Sequence, residues 1–311
     1  MIRAWAGTAP PHELLRPKTL RDWLRVARRG VPLSVWVFGG LAVHLTVRMV
    51  EQPLHGPRRP WTPHITQTVC RGAFVLMGMR YRTIGAPIEG PGAVVSNHAS
   101  WLDIFALNAR KRIYFVAKRE VQGWPGIGWL ARATGTVFIR RDRREAKEQV
   151  EVFRERLRLG HKLLFFPEGT STDGLRVLPF KPTLFAALDD AALRDLRVQP
   201  VTLAYHAPDG RDPRFYGWYA DMAFTAHLLA VLTEPNPGGV TVRYHAPVTL
   251  SEHGNRKALA AALESAVRGG LPRHRGAELA QGERGGLVTP DFLADAEEIG
   301  MGGEAAHQIQ R

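Results

Sequence analysis

Cysteine is nearly missing: Cys70 is the only one in 311 residues. A lone thiol excludes an intramolecular disulfide and any zinc site built on thiolates. The 12 histidines are scattered and no His-Glu-x-x-His stretch occurs, so no metal site is expected. A Gly-x-Ser-x-Gly nucleophile elbow is missing too, which removes the usual signature of a covalent serine route. Acidic side chains are in deficit, 29 against 42 Lys and Arg, giving a net charge of +13. Such a balance suits an anionic partner: nucleic acid, an acidic membrane surface or a phosphate-bearing molecule. No recognition helix, zinc finger or aromatic RNA-binding strand pair is evident, which argues against nucleic acid. With 45% hydrophobic and 23% charged residues, the chain is too apolar to be disordered and too charged for a many-span membrane protein.

What is present begins with one apolar run. Val31 to Val47 (VPLSVWVFGGLAVHLTV) carries no formal charge and is flanked by Arg28, Arg29 and Arg48. The run suits membrane insertion, spanning or re-entrant, although Pro32, Gly39, Gly40 and His44 weaken it and a buried core helix is the alternative. Upstream, Leu14 to Arg29 sets Leu20, Trp23, Leu24 and Val26 among Arg21, Arg25, Arg28 and Arg29, the pattern of a basic amphipathic helix at headgroup level.

From about residue 83 the texture changes. Residues 93–96, 113–117, 136–139, 163–166, 198–205 and 240–244 read as strands. Helical stretches alternate with them; the clearest runs from Arg143 to Leu159, with Asp142 as N-cap, Glu145 completing a capping box and Gly160 just past the end. This alternation predicts an α/β fold, a mixed sheet covered by helices, with an N-terminal hydrophobic membrane-associated segment. The expected organisation is a basic and hydrophobic anchoring segment over 1–60, a catalytic domain over 61–267 and a loosely ordered Gly/Glu/Ala/Arg-rich tail over 268–311.

Two polar constellations each follow an apolar run. In Ser96-Asn97-His98-Ala99-Ser100-Trp101-Leu102-Asp103 a histidine leaves a strand end and an aspartate follows five positions later. In a strand-to-helix turn the carboxylate can accept the imidazole Nδ1–H and leave Nε2 as a base. In Phe166-Pro167-Glu168-Gly169-Thr170-Ser171, Pro and Gly force a turn and Glu, Thr and Ser bring polar groups to a sheet edge.

Together, about seventy residues apart, NHASWLD and FPEGTS resemble the glycerolipid acyltransferase family that includes 1-acylglycerol-3-phosphate acyltransferases. A third block, Gly-x-x-Phe-Ile-x-Arg, falls on Gly135, Phe138, Ile139 and Arg141, and a fourth on Val198 to Leu203 around Pro200. The resemblance covers roughly residues 80 to 250. It implies transfer of a fatty acyl group from acyl-CoA or acyl carrier protein (acyl-ACP) to a lysolipid hydroxyl, with no cofactor beyond the donor. It makes His98 the general base and Asp103 its orienter, and gives the acceptor head to Arg141, Glu168, Gly169 and Thr170. Lys118 and Lys181 are second-line basic groups, and Arg140, Arg143 and Arg144 extend the basic run beside Arg141. The implied location is the cytoplasmic face of the inner membrane.

Departures from the family pattern are informative. Phosphate-acceptor members continue FPEGT with Arg-Ser, whereas this chain has Ser171-Thr172-Asp173-Gly174, and Phe-Lys-x-Gly becomes Phe180-Lys181-Pro182-Thr183. EGTSTDGLRVLPFK with the later Phe215-Tyr216-Gly217-Trp218 is similar to the bacterial lyso-ornithine lipid acyltransferase branch, whose acceptor head carries an amino acid instead of phosphate. The rival is a catalytically silent lipid-binding scaffold on the same fold.

Overall fold

The computed structural model describes residues 13–124, 126–139 and 146–272, without the side chains of 118 and 146–149. It begins with α1 (Leu20–His55), entered through a capping box in which Thr19 Oγ1 accepts the Asp22 N–H and the Asp22 carboxylate accepts the Thr19 N–H. Residues 13–17 precede the helix in non-helical form, so the basic helix expected from Leu14 starts later, at Leu20. From there the basic and apolar segments form one continuous helix, through Pro32 and the Gly39-Gly40 pair. Its buried side chains include Arg29, His44 and Glu51, whereas Leu24, Val31, Val35, Phe38, Met49 and Leu54 are exposed. The inner side of the helix thus mixes these polar groups with Leu33, Val26 and Val37, which pack on the core, while beyond Arg28 its outer side is largely apolar. It is the one helix among the described residues long and apolar enough to cross a membrane.

A partner helix, α2 (Thr62–Met77), packs antiparallel-fashion back along α1 after an elbow at Gly56–Trp61. Gly40 makes the approach possible: a Cβ there would lie 2.3 Å from Val69 Cγ2. The elbow is tied by Glu51, whose carboxylate accepts the Trp61 and Thr62 N–H groups and the Thr62 hydroxyl.

The sheet has seven strands: β1 (Arg80–Ile84), β2 (Gly92–Ser96), β3 (Tyr114–Lys118), β4 (Val137–Ile139), β5 (Lys162–Phe165), β6 (Val198–His206) and β7 (Gly239–Tyr244). Their spatial order is β1-β7-β6-β2-β5-β3-β4, parallel except for β6 against β7. The six expected strands are all present. β1 was not anticipated, because Arg80 and Arg82 break its apolar texture, as suits an edge strand.

Side chains alternate across the central strands. Val94 and Leu164 join Phe74, Met77 and Leu107 on one face, over which α1, α2 and α3 (Leu102–Arg110) lie. Ala93, Val95, Leu163 and Phe165 point to the other face, against α5 (Ala146–Arg158) and α8 (Arg256–Gly269). Gly160, at φ +81, ends α5 as expected; the Asp142–Glu145 capping box lies outside the described residues. The short helices α4 (Ile127–Ala133), α6 (Phe224–Thr233) and α7 (Leu250–His253) complete the set. Arg268 is still helical, in α8, and pairs with Glu264.

Candidate active site

His98 leaves the C-terminal end of β2 and Phe166 leaves that of β5, and these strands are parallel neighbours with Val95 opposite Phe165. The two constellations, far apart in sequence, therefore meet at one sheet edge. The His98 and Phe166 rings stack at 4.1 Å between centroids and 13° between planes. Asn97 extends the ladder to β6: its Nδ2 donates to Leu203 O and its Oδ1 accepts the Leu203 N–H.

Asp103 stands in the first turn of α3, fully buried. Its Oδ2 lies 2.7 Å from His98 Nδ1 and also accepts the Ala99 N–H at 2.8 Å and the Ser100 N–H at 3.1 Å. The carboxylate holds the imidazole with Nδ1 protonated and Nε2 turned outward, and the His98 side chain keeps 24% of its exposure. Such a dyad can take a proton from a hydroxyl that approaches Nε2.

Glu168 is buried and both its oxygens are used: Oε1 accepts the His98 N–H and Oε2 the Leu178 N–H, each at 2.7 Å. Burial pushes its carboxyl up to about 8, against the pull of the two amides, and the charge of Asp103 adds to the rise. Gly169, at φ +76, makes the turn that follows, and Gly169 and Thr170 are half-buried there. Thr172 N–H donates to His98 O at 2.9 Å, and Trp218 N–H to Ala99 O at 2.8 Å, so segments 172–176 and 215–218 close around the histidine loop. Gly217 is required there, since a Cβ would come within 2.6 Å of Asp173 O. Two opposite-charge pairs accompany these segments: Asp173 with Arg176 at 3.0 Å within the first, and Asp212 with Arg214 at 2.7 Å just before the second.

Of the residues singled out by sequence, His98, Asp103, Glu168, Gly169 and Thr170 come together. Arg141 lies outside the described residues, as do Arg140, Arg143, Arg144 and the Lys118 side chain. Lys181 donates its backbone N–H to Pro167 O, next to the turn, and Pro182 opens a 3-10 helix over 182–189 that takes in Thr183, which stands where the family pattern has Gly.

Residues 80–204 match the family described as Acyltransferase. Over 268 residues the chain is 55% identical to the lyso-ornithine lipid O-acyltransferase of Rhodobacter capsulatus, covering 86% of this chain and 96% of that protein. The chain belongs to the acyltransferase family. This acyltransferase is also 32% identical to a lyso-ornithine lipid O-acyltransferase of Rhizobium meliloti over 89% of its own length and 97% of the relative's. It is 33% identical to a 1-acyl-sn-glycerol-3-phosphate acyltransferase of Neisseria gonorrhoeae over 60% and 72% of the two chains. The crystal structure of a 1-acyl-sn-glycerophosphate acyltransferase from Thermotoga maritima shares the fold: TM-score 0.59, 23% identity, 86% of this chain and 99% of that one.

Two participants in the acyltransferase site escaped the sequence reading. Tyr205, in β6, donates its hydroxyl to Asp103 Oδ1 at 2.7 Å from a fully buried position. Leu178 supplies the second amide to Glu168. Neither residue type advertises such a role, and only strand order brings Tyr205 under Asp103.

Proposed function

We propose that this acyltransferase esterifies the free hydroxyl of a lyso-ornithine lipid, with His98 as general base and Asp103 as its orienter. The observation that carries the acceptor assignment is the 55% identity, over nearly the whole length of both chains, to a protein named for that reaction. The two ion pairs near the histidine loop support it. A phosphate monoester is best held by uncompensated cations, whereas the Asp173–Arg176 and Asp212–Arg214 pairs offer both signs, as a head with one carboxylate and one ammonium requires.

In the proposed reaction His98 Nε2 removes the proton as the acceptor oxygen attacks the thioester carbonyl carbon. A new C–O bond forms, the C–S bond breaks, and the proton passes from the imidazolium to the leaving thiolate. Asp103 holds the tautomer and offsets the imidazolium charge. Glu168 acts as the brace that fixes the histidine loop to the FPEGT turn, and Gly169 and Thr170, with Arg141, meet the acceptor. The donor is acyl-ACP or acyl-CoA, and no further cofactor enters the scheme.

We also infer a membrane-associated enzyme that meets these donors at the cytoplasmic face. Contacts from α1 to the domain run from Arg25, which donates to Thr233 O, past His44, which meets Ala133 O, to Glu51. A helix of about 54 Å held along its length presents its apolar side as a flat strip, which suits a position in the interface plane. The deciding assay offers lyso-ornithine lipid and lysophosphatidate, each with acyl-ACP and acyl-CoA, to membranes carrying wild type or His98→Ala, read by lipid mass spectrometry. Product from lyso-ornithine lipid with the wild type alone is expected; product from lysophosphatidate alone overturns the acceptor assignment, and equal turnover by both proteins overturns the base.

A further inference from the structure

Away from the dyad, α1 and α4 flank an open cleft of about 440 Å³, lined by Leu41, Leu45, Arg48, Arg59, Trp129 and Arg132 among others. It stands at the N-terminal approach to β4, whereas His98 follows the C-terminal end of a strand in the same parallel set. One wall is apolar and open: Leu45 is 48% exposed and Trp129 59%. The other wall carries three guanidinium groups, each anchored to a main-chain carbonyl. Arg48 donates to Gly56 O at 2.8 Å, Arg59 to Ala133 O at 2.6 Å and Arg132 to Gln122 O at 2.5 Å. Arg59 takes up a left-handed backbone, φ 51, at the elbow, and its guanidinium covers Gly135, where a Cβ would lie 3.0 Å from Cζ.

Among the described residues, one carboxylate pairs with this wall. Glu51 pairs with Arg48 at 3.1 Å, and its oxygens also serve the Trp61 and Thr62 donors of the elbow. Three guanidiniums against one carboxylate leave a surplus of about two positive charges at a partly enclosed site. Burial, with a smaller push from the nearby Arg48 and Arg156, moves the Arg59 guanidinium down from its ordinary value. Guanidinium forks fixed by main-chain carbonyls match phosphate oxygens.

From this geometry we propose that the α1–α4 cleft binds the phosphate of an anionic phospholipid, its acyl chains lying on Leu41, Leu45 and Trp129. A lipid is favoured over a free phosphate because the cleft borders exposed apolar side chains on two helices, Leu45 on α1, which also exposes Val35 and Phe38, and Trp129 on α4. The cleft lies apart from the His98–Asp103 dyad, and its proposed ligand does not depend on which lysolipid is acylated.

Native mass spectrometry of the full-length protein in detergent, with phosphatidylglycerol or phosphatidylcholine added, tests it. Wild type should retain one phosphatidylglycerol in preference to phosphatidylcholine. Arg48→Gln with Arg132→Gln should weaken retention about tenfold or more, the effect of losing a charged hydrogen bond. A charge-matched control, Arg80→Gln with Arg158→Gln at exposed positions, should retain the lipid as wild type does. Leu45→Glu keeps all three arginines and the fold, and should also lose it. Equal loss in the control overturns the proposal in favour of diffuse attraction, and undiminished retention in both cleft variants overturns it outright. Addition of inorganic phosphate separates the sources: stabilisation of wild type by phosphate alone, with no lipid retained, makes the cleft a free-phosphate site and refutes the lipid.

Discussion

The Tyr205 hydroxyl donates to Oδ1 of Asp103 at 2.7 Å, on the side of the carboxylate opposite His98. Three donors on Oδ2 and one on Oδ1 leave this buried carboxylate little freedom to rotate. Asp103 is therefore clamped between α3, which carries it, and β6, which braces it.

Tyr205→Phe removes the brace without changing the packing volume. An unpaired buried acceptor costs about 1–3 kcal/mol, so stability should fall by that order and kcat/KM by about tenfold, with little change in KM. Denaturant unfolding and steady-state acyl transfer check this; an unchanged kcat/KM would show that the brace from β6 is dispensable.

His98→Ala should retain the fold while acyl transfer drops by about 10²–10⁴. Asp103→Asn, which misdirects the tautomer, should cost on the order of 10³–10⁴. Circular dichroism together with turnover separates lost chemistry from lost folding.

Stability should depend on pH through Glu168. Its carboxyl is raised from 4.5 to about 8 in the folded protein, so the native state holds a proton that the unfolded chain releases. The contribution is fully present below about pH 4.5 and is lost as pH rises through about 8. In Glu168→Gln that slope should flatten, while one of the two backbone amides loses its acceptor and kcat falls. Thermal unfolding across this range, wild type against variant, is the measurement; parallel curves would remove Glu168 as the source.

Gly217→Ala places a Cβ within 2.6 Å of Asp173 O, a backbone atom that cannot swing aside. A loss of about 1–3 kcal/mol is expected, with kcat reduced because segment 172–176 carries the amide that meets His98 O. Wild-type turnover in a folded variant would show that this contact does not position the loop.

Leu24→Glu with Val35→Glu alters the outward face of α1, where both side chains are exposed. Stability should change by about 0.5 kcal/mol or less, yet the protein should leave the membrane pellet on sedimentation. Retention in the pellet would show that this face does not meet lipid.

Much of the fold was legible because buried strands in parallel sheets are written as short apolar runs, which is how β2, β5 and β6 read. β1 was hidden: an edge strand carries Arg80 and Arg82 without cost, and so lacks the texture of a strand. The extent of α1 was partly legible. Pro32 and the Gly39-Gly40 pair argue locally against a helix, but Gly40 serves the close approach of Val69, a long-range contact that no local pattern encodes.

At the site, the sequence by itself determined the chemical groups: a histidine and an aspartate at a spacing that lets them meet in one turn, and a Pro-Glu-Gly turn able to reach a neighbouring loop. Tertiary structure decided what those groups do. Adjacency of β2 and β5 turned Glu168 from a polar residue on a turn into the brace between His98 and Leu178, and adjacency of β2 and β6 put Tyr205 under Asp103. The outward direction of the apolar side of α1 was likewise a tertiary outcome, because Arg29, His44 and Glu51 reach hydrogen-bond partners on α6 and the residues after it, on the α4 terminus and α2, and at the α2 elbow. Short-range geometry follows from residue spacing; strand order and helix facing follow from burial and hydrogen-bond satisfaction over the whole chain.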